Sequence, residues 1–349
     1  MNIVEHLPPL ADLGFGKYFA PEMILARYEK NQWHPWKKVS VHDFHLAPTA
    51  KVLHYAQEIF EGLKVFRSAS GSMALFRPEE NIKRMTRSAE ILAMPPYPEK
   101  EYLESMRVLS RACAHLIPEE PGALYLRPTM IATDSTLGVA PSTEYLFYIL
   151  ASPVGGYFGA TKSDVPACVS ILATKDYVRA CPGGLGAAKT GANYAASLLA
   201  VSEAKKKGFQ NVLFLDAIQH QNLEELSGMN IFIVDKGVLK TPKLGDTILA
   251  GITRDSLLQL AKAEGIAVQE TDIGIDALMT GLKSGQITEV FACGTGASVT
   301  AVTELGWKGE KHPVGDKHPG PLTTRLYRSL LDIQTQRKPG LKPDWLVQI

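Results

Sequence analysis

Lys189 stands in the segment Pro182-Gly183-Gly184-Leu185-Gly186-Ala187-Ala188-Lys189-Thr190-Gly191, a single cation among glycines and alanines. Small residues let a backbone approach a ligand closely, and they give the lysine little polar company. A poorly solvated lysine loses its proton more easily and can attack carbonyls as an amine. Other readings of this loop compete. A phosphate-binding G-x-x-x-x-G-K-[ST] loop would need glycine at 188, where Ala188 stands, and a dinucleotide G-x-G-x-x-G would need glycine in place of Lys189. A plain surface turn with a solvated lysine is the third.

Further segments carry groups that could serve the same chemistry. Glu225, in Leu223-Glu224-Glu225-Leu226-Ser227-Gly228-Met229-Asn230, precedes an apolar run. It could hold a protonated ring nitrogen or be a solvated strand-end charge. Ala250-Gly251-Ile252-Thr253-Arg254-Asp255-Ser256 leads into a helix with Thr253 as candidate N-cap, and exposed amides at a helix start suit a phosphate. Cys293-Gly294-Thr295-Gly296-Ala297-Ser298 is a small-residue turn whose amides and Thr295 hydroxyl could take a phosphate or carboxylate. Arg84 lies among the apolar positions of a helix, either reaching an anion or snorkelling at the surface. Tyr125 and Arg127, two apart in a strand, share a face and could receive a carboxylate or form a structural pair.

The elements that must position these groups are legible as mixed α and β. Helices are predicted over 79–94, 100–116, 193–207, 254–264 and 322–336. Strands are predicted over 123–133, 143–152, 167–173, 211–216, 229–235 and 289–293. Pro153-Val154-Gly155-Gly156-Tyr157-Phe158-Gly159 reads as a linker or loop. The chain's 349 residues, 45% hydrophobic and 21% charged, favour two domains. A net charge of +1 gives no strong field for nucleic acid or an anionic membrane. Cys113, Cys168, Cys181 and Cys293 form no C-x-x-C pair, so neither zinc nor a disulfide framework is expected and a cytoplasmic compartment fits. Residues 1–14 lack the pattern of a signal peptide, and no apolar run reaches the roughly 18 residues of a membrane helix.

Taken together the segments resemble the branched-chain amino acid aminotransferases, in fold class IV of pyridoxal-phosphate enzymes. The resemblance is carried by Leu53 to Lys64, Leu75-Phe76-Arg77-Pro78 with Asn81 and Arg84-Met85, and Leu124 to Pro128. Gly186 to Tyr194, Glu225 with Gly228-Met229-Asn230, Gly251 to Ser256 and Glu289 to Thr295 extend it. It implies a mixed α/β fold of two domains: a smaller N-terminal α/β domain over 1–154, an interdomain loop over 155–165 and a larger pseudo-barrel domain over 166–349. It implies pyridoxal 5'-phosphate, carried as a Schiff base on Lys189. Tyr194 would bond the cofactor's phenolic oxygen and Glu225 its pyridine nitrogen. Arg84, the Ile252 and Thr253 amides and Thr295 would hold the phosphate. Phe15, Tyr55, Phe60, Tyr125, Arg127, Tyr157 and Gly296 would line the substrate site, some of them across a homodimer interface.

The implied reaction is ping-pong transfer of an amino group from leucine, isoleucine or valine to 2-oxoglutarate. Small-molecule amino acids and 2-oxo acids are the expected partners, with no metal. Alternatives are a class IV enzyme acting on D-amino acids, amines or an aminodeoxychorismate-like substrate, and a nucleotide-binding protein. Ala192, Leu226-Ser227 and Gly296-Ala297-Ser298 depart from the usual pattern.

Overall fold

The computed structural model describes residues 1–155 and 164–349. The chain divides into two compact units. One comprises 1–161, 188–191 and 333–349, and the other 162–187 and 192–332. The first unit therefore takes a four-residue piece, Ala188 to Gly191, from the middle of the later sequence, and that piece contains Lys189.

In the first unit an antiparallel sheet runs in the order Leu346–Gln348, Met73–Phe76, Leu63–Arg67, Ala123–Ala132, Tyr145–Val154, Glu22–Glu29, Gln32–Trp33. Two further strands, Lys37–Ser40 and Glu58–Phe60, pair with Glu22–Glu29 and Ala123–Ala132. The central pair, Ala123–Ala132 with Tyr145–Val154, is in register over ten residues and almost wholly buried. Helices Pro78–Ile91 and Glu99–Ala112 supply the apolar layer against it. Ile82, Met85 and Ala89 from the first and Tyr102, Met106 and Leu109 from the second enter one core with Phe147 and Tyr97, which stack at 3.9 Å. Proline at the first position and Glu79 and Glu80 in the first turn suit the start of Pro78–Ile91, where a missing N–H costs nothing and acidic groups meet the positive helix end.

The same helix has a second, polar stripe. Asn81, Arg84 and Ser88 recur at helical spacing and are all buried. They face the functional groups described below.

The second unit is a mixed sheet that closes on itself. Strands Leu223–Leu226, Asn211–Leu215, Ala167–Thr174, Ser298–Trp307, Ile287–Gly294 and Asn230–Asp235 pair in that order, and Leu223–Leu226 pairs back onto Asn230–Asp235. The closing partners are Glu225 and Asn230. Closure removes the edges an open sheet would expose. Val238–Pro242 and Val268–Thr271 extend the sheet beyond the ring. Helix Ile252–Ala263 buries Leu257, Leu258, Leu260 and Ala261. The predicted 193–207 helix is two, Gly191–Ala195 and Leu198–Lys206. Ser197 turns its hydroxyl back to the Tyr194 carbonyl at the break.

Candidate active site

The first unit gathers an amine, aromatic walls and two cations. Lys189 is fixed through its backbone. Its N–H donates to Ser88 Oγ at 2.9 Å and its carbonyl accepts from the Phe60 N–H at 2.9 Å. Its Nζ lies 4.9 Å from the centre of the Phe60 ring. The same ring carries the Arg127 guanidinium at 4.6 Å. Arg127 also donates to the Tyr125 hydroxyl, from Nη2 at 3.0 Å and Nε at 3.3 Å, as two residues on one strand face should. Phe15 meets the Tyr125 ring edge-on at 4.9 Å. Gly62 has to be glycine here, because a Cβ would overlap the Tyr125 hydroxyl.

Arg84 is neither snorkelling nor exposed. It is 4% exposed and grips Glu61, which is fully buried, with Nε at 2.7 Å and Nη2 at 2.8 Å. Asn81 Nδ2 at 2.7 Å and the Gly62 N–H at 3.1 Å complete the carboxylate's donors. Burial opposes the charge on Glu61. Arg84 outweighs it by charge and hydrogen bond, with help from the Lys189 charge and Asn81, and the carboxyl is held below its ordinary value. Glu58 accepts from the Gly191 N–H just past the lysine. Burial raises its carboxyl, with the Gly191 amide and Arg127 opposing. Glu61, Ser88 and Glu58 were not foreseen as functional from sequence. An isolated glutamate or serine carries no pattern, and only the helical spacing of Asn81, Arg84 and Ser88 could have flagged the stripe.

One expected substrate-site residue stands apart from these side chains. Tyr55 ends the short Lys51–Tyr55 helix, 43% exposed, with its hydroxyl on the Leu137 carbonyl and its ring near His54. Tyr157 and most of the expected 155–165 loop lie outside the described residues.

The second unit holds an anion and a set of anion-binding donors. Glu225 is not a solvated charge before a strand. It lies inside the buried Leu223–Leu226 strand, 3% exposed. Its Oε1 accepts from Arg179 Nη2 at 2.6 Å and the Leu249 N–H at 2.8 Å, and its Oε2 from Asn230 Nδ2 at 3.3 Å. Arg179 was missed from sequence, since nothing near it in the chain announces so distant a partner.

Thr253 is not the N-cap of its helix. Gly251 is, in extended conformation, with Ile252 and Thr253 as the first two helical residues. Residue 251 has to be glycine, because a Cβ there would run into the Asn230 side chain. The helix start has no side-chain cap. Its first-turn amides have no intrahelical acceptors, a donor set suited to a phosphate dianion. Thr295 and Gly296 sit half-buried in the turn joining Ile287–Gly294 to Ser298–Trp307, where Ser298 takes a left-handed φ of 56°. Tyr194, half-buried, lies in the Gly191–Ala195 helix, and its neighbour Asn193 donates to the Leu185 carbonyl at 2.8 Å.

Within the second unit, the buried Glu225 carboxylate with its own countercharge can accept from a protonated ring nitrogen, and the uncapped helix start can donate to a phosphate. Within the first unit, an amine stands against an aromatic wall. The sequence matches the family described as amino-transferase class IV over residues 58–305. The chain belongs to the class IV aminotransferases. Among class IV relatives, the branched-chain-amino-acid aminotransferase of Mycolicibacterium smegmatis is 45% identical over 333 residues, 93% of this chain and 89% of that one. The Bacillus subtilis branched-chain-amino-acid transaminase 1 is 42% identical over 344 residues, 98% of this chain and 96% of that one. The crystal structure of the Escherichia coli branched-chain amino acid aminotransferase is similar at a TM-score of 0.77 and 30% identity, over 93% of this chain and 98% of that one. A T.th. branched-chain amino acid aminotransferase, complexed with N-(5'-phosphopyridoxyl)-L-glutamate, is similar at a TM-score of 0.73 and 27% identity, over 92% of this chain and 97% of that one. The mixed α/β fold with a closed barrel is that of this family. Among the described residues no His, Cys, Asp and Glu group could hold a metal, and no helix is long and apolar enough to cross a membrane.

Proposed function

We propose that this class IV aminotransferase uses pyridoxal 5'-phosphate to move the amino group of L-leucine, L-isoleucine or L-valine to 2-oxoglutarate, giving branched 2-oxo acids and L-glutamate. The observation that carries the reading is the Phe60 ring, which bears the Lys189 amine and the Arg127 guanidinium together. An amine, an apolar wall and a cation in one place suit a substrate site that must take an apolar side chain and then a carboxylate.

Bound at Lys189, the cofactor supplies an aldehyde that links to amines and a ring that accepts the electron pair left when the Cα–H bond breaks. Every other task falls to the chain. Lys189 anchors the cofactor, and once displaced by an amino acid its Nζ takes the Cα proton and returns it. Glu225, as a carboxylate, keeps a proton on the ring nitrogen, and Arg179 is its countercharge. Tyr194 donates to the phenolic oxygen. The Ile252 and Thr253 amides, Thr295 and Arg84 hold the phosphate, Arg84 oriented by Glu61. Phe15, Phe60, Tyr125 and Tyr157 enclose the apolar side chain, with Gly296 beside the carboxylate end. Arg127 receives the distal carboxylate of the second substrate. With an apolar substrate the half-buried guanidinium needs another partner, and the Tyr125 hydroxyl is one.

The protein acts as a cytoplasmic homodimer in this reading, with a small domain over 1–154, a loop over 155–165 and a large domain over 166–349. Leu53, Leu137 and Val139 are 59%, 61% and 85% exposed beside Tyr55, an apolar surface that favours a second copy. Tyr55 would then serve the partner's site. A panel of amino donors of both hands tests the substrate class. Branched L-amino acids should be turned over and their D-forms not. Preference for D-amino acids or simple amines would refute it.

A further inference from the structure

The Leu223–Leu226 strand carries two adjacent carboxylates and has no exposed position. Glu225 has a role above, but Glu224, 6% exposed, does not. Neighbours in a strand project to opposite faces, so Glu224 does not duplicate Glu225. Both are coupled to one cation. Arg179, also 6% exposed, donates through Nη2 to Glu225, to the Gly186 carbonyl at 3.0 Å and to the Thr247 carbonyl at 2.7 Å. Its Nε is buried without a partner among the described residues, and so is Glu224 Oε2. A buried donor and a buried acceptor, each costly to leave open, thus belong to two groups that interact through their charges.

One guanidinium, bonded to Glu225 and interacting with Glu224 through its charge, leaves two buried carboxylates in net negative excess unless one is protonated. Burial raises the Glu224 carboxyl to about 7 and the charges of Glu225 and Asp216 add to this, while the Thr247 side chain and Arg179 oppose it. Other groups that bear on the pair come from neighbouring strands. Asp216 follows the Asn211–Leu215 strand, and Cys293 comes from the neighbouring Ile287–Gly294 strand with Arg254 beside it. Burial pushes the Cys293 thiol well up, so it stays neutral and does not compete.

We propose that Glu224 is a positioning residue that shares the Arg179 charge with Glu225 and so sets how strongly Glu225 holds a proton on the cofactor's ring nitrogen. The proposal rests on the ring-nitrogen role given to Glu225. The sign follows from electrostatics. Ionised Glu224 draws on Arg179 and adds its own negative charge, so Glu225 becomes more basic and grips the ring proton harder. Protonated Glu224 releases Arg179 to Glu225 and weakens that grip. Turnover should therefore rise with pH through about 7 by way of Glu224.

The test uses the full chain with Glu224→Gln, which keeps the size and removes the titration, and Glu224→Met should the amide fail to fold. In the cofactor-loaded enzyme, kcat/KM of the variant should match wild type at about pH 6 and fall about fivefold below it at about pH 8.5, the effect of under about one pKa unit on Glu225. KM for the amino donor should stay unchanged, and the visible band of the bound cofactor should lose its pH dependence between those values. In the cofactor-free protein, the melting temperature of wild type should drop relative to the variant as pH rises from about 4.5 to about 7 and stay level above that. A raised carboxyl costs the folded state progressively between its ordinary 4.5 and about 7, where the unfolded chain has released the proton and the folded one still holds it, and the cost is constant above that. Parallel pH profiles and parallel melting curves would overturn the proposal. Should wild type take up no cofactor at all, the ring-nitrogen role of Glu225 fails, and with it the proposal, whatever the melting curves show.

Discussion

A buried charge survives in this protein only where a specific partner answers it, and the residue-scale predictions follow from that. Arg84 is answered by Glu61. Replacing Glu61 with Gln leaves a buried guanidinium without its countercharge and should lower stability at neutral pH by about 3–5 kcal/mol, measured by denaturant unfolding. Because the folded-state carboxyl of Glu61 lies below its ordinary 4.5, its contribution is complete above that pH and is lost as pH falls through the folded-state value. The gap between wild type and variant should close over that acid range, and a gap independent of pH would contradict the pairing. Glu225→Gln should keep the cofactor but lose at least about a hundredfold in kcat, the scale of a lost proton-holding group. Unchanged turnover would refute the ring-nitrogen role. Sequence disclosed Lys189, Arg84 and Glu225 as chemically capable residues. It hid Glu61, Arg179 and Ser88, because each acts on a group far away in the chain and has no local pattern of its own.

At the scale of elements, what was legible was periodicity, and what was not was anything decided by contact between elements. The strands at Ala123–Ala132, Tyr145–Val154 and Ala167–Thr174 lie close to their predicted spans because long apolar runs leave little choice. The helix cap near Ile252 was misplaced. Thr253 is the better cap by type, but the cap is Gly251, where the Asn230 side chain leaves no room for a Cβ. The break between Gly191–Ala195 and Leu198–Lys206 was hidden for a similar reason, since helix formers run through it. The prediction at this scale concerns the cap. Gly251→Ala should displace Asn230 and the first-turn amides it backs, and raise the dissociation constant for pyridoxal phosphate about tenfold or more, read by fluorescence titration. Retained affinity would show that the amides do not hold the phosphate. In the core, Phe147→Ala should cost about 3–5 kcal/mol, as for other buried aromatic truncations. A loss below about 1 kcal/mol would show that the Tyr97–Phe147 stack is not central to the sheet.

For the whole molecule, the proposed reaction calls for a second copy as well as a cofactor. Replacing Val139 and Leu137 with Asp should give monomers in sedimentation and a loss of turnover, because Tyr55 would no longer reach a partner's site. A fully active monomer would refute the shared site. The visible spectrum of the cofactor-loaded protein, followed through both halves of the reaction, tests the role of Lys189 and the substrate class together. L-Leucine alone should abolish the visible band, and 2-oxoglutarate should then restore it with one equivalent of glutamate formed. D-Leucine should do neither, and Lys189→Ala should show no such cycle. A band unmoved by L-leucine, or a Lys189→Ala protein that cycles like wild type, would contradict amino-group transfer through Lys189.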